Sequence, residues 1–210
     1  MLANLLRRDN QLDAAEEAAS RSIDLLPDTE QFRICQGHCA LGEIYRSKGE
    51  AEKAINHYET ALGIADSFNW HNEQFWIHYS LAGLFDDQGR FDEAHAHIEL
   101  AKSHADNDAY NLGWATELQA GLWYQQGRLE EARSEALCAV GVHEKLGAVG
   151  DVERCRNFLR NIEKRTKELV IPSGSDFDGE LLETVRLPTS IDSLSSVGGS
   201  DSIDGRLNFS

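Results

Sequence analysis

The sequence contains an internal repeat centred on a glycine. Three segments share an aromatic residue, a turn and a closing alanine: Tyr45–Ala54, Phe85–Ala94 and Trp123–Ala132. The turn glycines Gly49, Gly89 and Gly127 are 40 and 38 residues apart, and a weaker copy, Leu6–Ala15, precedes them. A period in this range is typical of stacked helical hairpins. Because such hairpins bury their apolar faces only against their neighbours, function is expected on a surface.

Apolar spacing predicts a helix on each side of every turn. Before Gly49, the residues Leu41, Ile44 and Tyr45 follow the i, i+3, i+4 pattern, and the apolar stripe resumes at Ala54. Glycine suits the tight turn between the two helices. The predicted fold class is therefore all-α, a solenoid of about three and a half antiparallel hairpins.

The same reading divides the chain into four parts. Residues 1–29 form a partial first repeat, residues 30–148 form three full repeats, and residues 149–169 form a capping helix with a polar outer side. Residues 170–210 are rich in serine, glycine and aspartate, a composition that buries too little apolar surface to offset ordering entropy. We predict a disordered tail there.

The repeat resembles the tetratricopeptide repeat family. Four alanines mark the start of each second helix: Ala15, Ala54, Ala94 and Ala132. The family's small residue in the first helix then falls on Ala3, Gly42, Ala82 and Ala120, and its large residue falls on Leu6, Tyr45, Phe85 and Trp123. The resemblance covers residues 1–168 and implies a right-handed solenoid that binds proteins or peptides.

Two departures indicate a long-repeat type. The family's early tryptophan is replaced by His38, His78 and Thr116, and the period is 38 to 40 residues instead of about 34. Such longer repeats resemble those of kinesin light chains and of the repeat arrays of fungal signal-transducing NTPases.

Composition excludes several classes of function. A formal net charge of −16 and a pI near 4.8 oppose binding to nucleic acid or to an acidic membrane surface. The sequence shows neither a membrane-spanning run nor a secretory signal, so we expect a cytoplasmic protein. Four scattered cysteines are interpreted as buried thiols.

No residue pattern predicts catalysis, a cofactor or a metal site. Cys35 and Cys39 share a helical face with which a soft-metal site could begin, but a fourth ligand is not visible, so buried packing is favoured. His97 and His104 also share a helical face and are interpreted as a solvated surface.

Tryptophans and their neighbours give the candidate binding residues. Trp76 and Trp114 occupy equivalent places on successive first helices, and first helices line the concave side in the family that the chain resembles. Aromatic residues there are suited to interface hot spots. The predicted partner-binding residues are Arg46, Trp76, Tyr79, Trp114, Glu117 and Tyr124. Packing of the two tryptophans between hairpins is an equally weighted alternative.

These observations predict a non-catalytic scaffold that binds a peptide or protein segment on its concave face. The negative charge favours a basic partner. The alternative is a sensor or autoinhibitory arm of a larger NTPase signalling protein, of which this chain would be a fragment, because the first predicted helix is short and the solenoid begins in mid-repeat.

Overall fold

The computed structural model describes Arg7, residues 11–105 and residues 108–170 of the 210-residue chain. Within these ranges the regular structure is entirely helical. The helices are α1 (Leu12–Asp24), α2 (Gln31–Ser47), α3 (Ala51–Phe68), α4 (His71–Asp87), α5 (Phe91–His104), α6 (Ala109–Gln125), α7 (Leu129–Lys145) and α8 (Val149–Val170). The predicted all-α fold class, a solenoid like that of the tetratricopeptide repeats, is confirmed.

Two of the predicted segments are described only in part. The predicted partial first repeat, residues 1–29, contributes α1 and the turn after it, while residues 1–6 and 8–10 lie outside the described residues. The predicted disordered tail lies outside them from residue 171 onward. Helix α8 covers the range of the predicted capping helix.

The described residues fall into two compact units. Unit 1 extends to Asn111 and contains the hairpins α2–α3 and α4–α5, preceded by α1. Unit 2 begins at Leu112 and contains most of α6 together with α7 and α8.

Each hairpin turn has the same backbone form. The turn glycines Gly49, Gly89 and Gly127 have φ angles of 75°, 69° and 75°, which lie in the left-handed region that glycine adopts without a steric penalty. The residue after each glycine donates its backbone N–H to the backbone carbonyl of the aromatic residue five positions earlier. Glu50, for example, donates to the Tyr45 carbonyl at 2.9 Å. This bond explains why the aromatic residue and the glycine keep a fixed spacing in all three copies.

Small residues fill the places where the two helices of a hairpin meet. The marker alanines of the second helices, Ala54, Ala94 and Ala132, are 0% exposed. In the first helices the corresponding residues are Gly42, Ala82 and Ala120. A Cβ atom at Gly42 would lie 2.6 Å from the ring of Tyr58, so this ring leaves no room for a side chain at position 42.

The cysteines differ in their burial. Cys35 and Cys155 are buried and Cys39 is partly buried, but Cys138 is exposed on α7. The prediction of four buried thiols is wrong for Cys138, because a second helix has an outer face that no neighbouring helix covers.

Candidate functional site

Two of the predicted binding residues form an aromatic pair on α4. The rings of Trp76 and Tyr79 meet edge to face with their centroids 5.7 Å apart, and Phe75 contacts Trp76 at 4.9 Å. Trp76 and Tyr79 are both partly exposed, whereas Phe75 is fully buried. One edge of this pair is anchored in the core and another is accessible from outside.

The same side of α4 continues through Gly83 to the end of the helix. Positions separated by three, four or seven residues share a helical face, so Trp76, Tyr79, Gly83 and Asp87 form one stripe. We call these four residues the α4 stripe. Asp86 lies beside its last member and is buried.

Arg46 of α2 reaches across to the α4 stripe. Its Nε donates a 2.7 Å hydrogen bond to the Asp87 carboxylate. Its guanidinium lies against Gly83, where an added Cβ would be 3.1 Å from the nearest guanidinium nitrogen. The absence of a side chain at Gly83 therefore lets a predicted binding residue lie flat on the neighbouring helix.

Carboxylates outnumber cations around Arg46. Glu43 accepts a 2.6 Å hydrogen bond from the Tyr58 hydroxyl. Burial alone would raise the pKa of Glu43, but the positive charge of Arg46 and the Tyr58 hydrogen bond hold it below its ordinary value. Burial, with the nearby Asp87 charge, raises the pKa of Asp86 to about 7. The α2–α4 surface thus combines an aromatic pair with an excess of acidic groups.

In unit 2, helix α8 covers two of the predicted binding residues. Trp114 is only 7% exposed, and the Arg154 guanidinium lies 4.5 Å from the centre of its ring. Arg154 also donates to both carboxylate oxygens of Glu117, at 2.6 and 2.8 Å. Trp114 and Glu117 are therefore brought together by a single arginine of the same chain.

Tyr124 is also engaged by α8. The Arg165 guanidinium lies 4.7 Å from the centre of its ring and donates to its backbone carbonyl at 2.9 Å. Phe158 adds an edge contact at 5.4 Å. The three predicted residues of unit 2 thus bind arginine and aromatic side chains, here supplied from within the chain.

Sequence reasoning missed paired histidines inside the two hairpins of unit 1. His38 and His57 face each other with their Nδ1 atoms 3.0 Å apart, and His78 and His97 do the same at 3.0 Å. In each pair one nitrogen must accept the proton that the other donates, so at least one ring is neutral. The spacing in the sequence could have revealed these pairs. The two histidines of each pair are 19 residues apart, and the second pair lies 40 residues after the first, which is one repeat.

The surroundings of these histidines correct an interpretation. His97 stacks on Phe85 at 5.2 Å, and His104 stacks on His78 at 5.6 Å, so His97 and His104 are not a solvated surface. Burial lowers the pKa of His78 to about 4, and the neighbouring His97 and His104 reinforce the shift. Burial also lowers the pKa of His38.

The geometry defines an all-helical repeat protein whose polar clusters lie between successive helices. Residues 33–107, which cover most of unit 1, match a family model described as tetratricopeptide repeat. This match supports a tetratricopeptide repeat family for the chain. No curated protein matches the chain.

Among solved structures, the chain is similar to the one titled "Crystal structure of BtubC (BKLC) from P. vanneervenii". The two share 17% sequence identity, with a TM-score of 0.60, over 87% of this chain and 84% of that one. At this identity the likeness shows the fold alone. The kinesin light chain and NTPase subtypes stay predictions.

The described ranges contain no candidate membrane span. None of their helices combines the length and the apolarity that crossing a bilayer requires.

Proposed function

We propose that this chain is a non-catalytic scaffold that binds a basic protein segment on the α2–α4 surface of unit 1. Tetratricopeptide repeats generally mediate contacts between proteins and are generally not catalytic, and the family match supports this part of the proposal. The observation that carries the choice of surface is the partly exposed Trp76–Tyr79 pair on the same stripe as Asp87.

Charge supports a basic partner. The α4 stripe ends in Asp87, with the buried Asp86 beside it, and the adjacent α2 adds Glu43, whereas Arg46 and Arg7 are the cations that act on Glu43. A lysine or arginine of a partner would meet carboxylates there, and the net charge of −16 would accelerate the encounter at low salt.

The contacts of α8 support the same chemistry. Arg154 lies over Trp114 and on Glu117, and Arg165 lies over Tyr124. Aromatic and acidic residues of a first helix can thus hold arginine side chains. Direct contact of Trp114, Glu117 and Tyr124 with a partner stays a prediction, as does a cytoplasmic location.

The test selects peptides from a random library on the immobilised full chain and measures their affinity by calorimetry. We expect selected peptides to carry lysine or arginine beside an aromatic residue and to bind more weakly as salt rises. Trp76→Ala combined with Tyr79→Ala should weaken binding by at least about tenfold, the effect of losing one interface hot spot.

The matched control is Phe68→Ala, which removes an aromatic side chain that is 50% exposed on the second helix α3 of the same unit. Equal weakening by Phe68→Ala and by the α4 double variant would reject the α2–α4 surface. Circular dichroism of each variant checks that the helices are retained. The sensor-arm alternative stays a prediction, since no described contact bears on it.

A further inference from the structure

Three side chains of metal-ligating type converge inside unit 2. Glu117 of α6, His143 of α7 and Cys155 of α8 each direct one ligand atom toward the others, and these atoms lie within 4.8 Å of one another. His143 is 0% exposed and Cys155 is 1% exposed. Three different helices therefore bring an oxygen, a nitrogen and a sulfur to one buried point.

The histidine at this point lies between two carboxylates. Its Nε2 is 3.7 Å from the Glu117 carboxylate, and its Nδ1 is 3.9 Å from the carboxylate of Asp151. A carboxylate on the far side of a histidine commonly orients that ring toward a metal ion. Asp151 lies on the Nδ1 side of His143, although 3.9 Å is longer than a hydrogen bond.

Charge balance also favours a cation. Glu117 and Asp151 are both bonded to Arg154. Glu117, Asp151 and Arg154 together carry one negative charge, and the Cys155 thiol is uncharged while it holds its proton. Exchange of the thiol proton for a divalent ion adds one positive charge and makes the buried cluster neutral, which burial favours.

We propose that Glu117, His143 and Cys155 bind a divalent transition-metal ion of the zinc class. An oxygen, nitrogen and sulfur donor set suits Zn²⁺ or Co²⁺, whereas Mg²⁺ and Ca²⁺ take oxygen ligands. Each carboxylate oxygen has two lone pairs, so Glu117 keeps its bonds to Arg154 while it ligates the ion.

Binding breaks the S–H bond of Cys155, forms a sulfur–metal bond and releases the proton to solvent. Burial raises the pKa of the Cys155 thiol well above its ordinary value, so the metal has to displace this proton. Affinity therefore rises with pH, and the ion joins α6, α7 and α8 at one point.

The experiment adds Co²⁺ to the full chain after chelation and reduction, because a thiolate–Co²⁺ bond absorbs in the near ultraviolet and a carboxylate–Co²⁺ bond does not. We expect about one Co²⁺ bound and about one proton released per chain. Saturating Zn²⁺ should raise the thermal midpoint by roughly several degrees. Mg²⁺ should neither release a proton nor raise the thermal midpoint.

Cys155→Ala should abolish the absorption, and Cys138→Ala is the matched control, because Cys138 is exposed on α7. Absence of the band in the unmodified chain, or its survival in Cys155→Ala, would overturn the proposal. If Cys155→Ala does not fold, a chain with Cys155 as its sole thiol (Cys35→Ala, Cys39→Ala and Cys138→Ala) keeps the question decidable.

X-ray absorption of the Zn²⁺-loaded sole-thiol chain should then show one sulfur in the first coordination shell. A shell of oxygen and nitrogen only would overturn the proposal. So would full neutralisation of the cluster by a proton, seen as a His143 imidazolium that persists above neutral pH and is insensitive to added Zn²⁺.

Discussion

Units 1 and 2 use different polar groups at equivalent positions of the repeat. In each hairpin of unit 1, a histidine on the first helix faces a histidine on the second. In unit 2 these positions are Thr116, whose hydroxyl donates to the Leu112 carbonyl, and Glu135. The main polar cluster of unit 2 lies one helix further on, around Arg154.

The comparison separates the contacts that every repeat makes from those that vary between repeats. Alanine at Ala54, Ala94 and Ala132 is fully buried in both units, so apolar contacts at the helix crossings are shared. The polar positions beside them vary. Each unit should therefore respond to a different perturbation: unit 1 to protonation, and unit 2 to the loss of one arginine.

The largest expected effect comes from Arg154→Met in unit 2. The change leaves the partly buried carboxylate of Glu117 and the buried carboxylate of Asp151 without their shared cation. Breaking such a pair costs on the order of 3 kcal/mol of unfolding free energy. Urea unfolding measures the loss, and hydrogen exchange should locate it in α6, α7 and α8.

The control is Arg156→Met on the same helix. Arg156 is 58% exposed and pairs with Glu144 on the surface, so its loss should change stability little. Equal losses from both variants, or faster exchange confined to unit 1, would contradict the assigned role of Arg154.

A second test gives the α2–α3 hairpin the alanine that the other two hairpins already have at this place. Gly42→Ala adds the methyl group present at Ala82 and Ala120, but in the α2–α3 hairpin this methyl group meets the Tyr58 ring at 2.6 Å. Overpacking of this kind costs about 2 kcal/mol, measured by urea unfolding.

The control Gly63→Ala adds its methyl group where no atom lies within 4 Å, in the exposed middle of α3. It should stabilise the helix by about 0.5–1 kcal/mol. A neutral Gly42→Ala would show that Tyr58 can move aside. Adding Tyr58→Ile, which copies Ile98 of the next hairpin, should recover part of the loss.

The histidine pairs of unit 1 should make a contribution to stability that is lost in acid. Folding lowers the pKa of His78 from 6.5 to about 4, so its contribution is complete above pH 6.5 and is lost as the pH falls toward 4. We expect His78 alone to contribute a loss of about 1–2 kcal/mol between pH 7 and pH 5. NMR titration should give His78 a pKa near 4, and a value at or above 6.5 would refute the prediction.

Other groups near the second pair oppose this effect. Asp66 acts on His78, while Glu59 and Glu93 act on His97, and each of these carboxylates favours protonation. Because the pKa of Asp86 is raised in the folded chain, the contribution of Asp86 to the stability of the fold increases as the pH falls. The measurement is therefore a comparison of two chains: between pH 7 and pH 5, His78→Asn combined with His97→Gln should lose less stability than the unmodified chain.

The smallest expected effect concerns a device that both units share. The guanidinium of Arg90 lies 4.4 Å from the centre of the Phe85 ring, and that of Arg128 lies 3.9 Å from the centre of the Trp123 ring. Each arginine also pairs with a glutamate three residues later.

Arg90→Gln and Arg128→Gln should each lower the thermal midpoint slightly and by similar amounts, less so at high salt, because these pairs are exposed and screened. A large effect in one unit only would show that the device is not shared.

Much of the fold could be predicted from the sequence because its repeat carries its own register. The spacing of Gly49, Gly89 and Gly127 fixes the turns, and their positive φ angles explain why glycine recurs there. The fully buried Ala54 and Ala94 follow from the same alignment.

The polar sites were harder to predict. His78 and His97 lie on two different helices. The apolar stripe shows which face of each helix is buried, but it does not fix the rotation of the helix closely enough to place a ring nitrogen. The cluster of Glu117, His143 and Cys155 draws one residue from each of three helices, with no recurring spacing to reveal it. The placement of Arg154 over Trp114 depends on α8, which lies beyond the last repeat.

The contact between Gly42 and Tyr58 has a consequence for recombination between repeats. A missing side chain on α2 is matched by an oversized one on α3, whereas the following hairpin pairs Ala82 with Ile98. A gene conversion that exchanged only one helix of a hairpin would create either a cavity or a steric clash. Such an array can therefore grow or shuffle by whole hairpins, and single helices are not interchangeable parts.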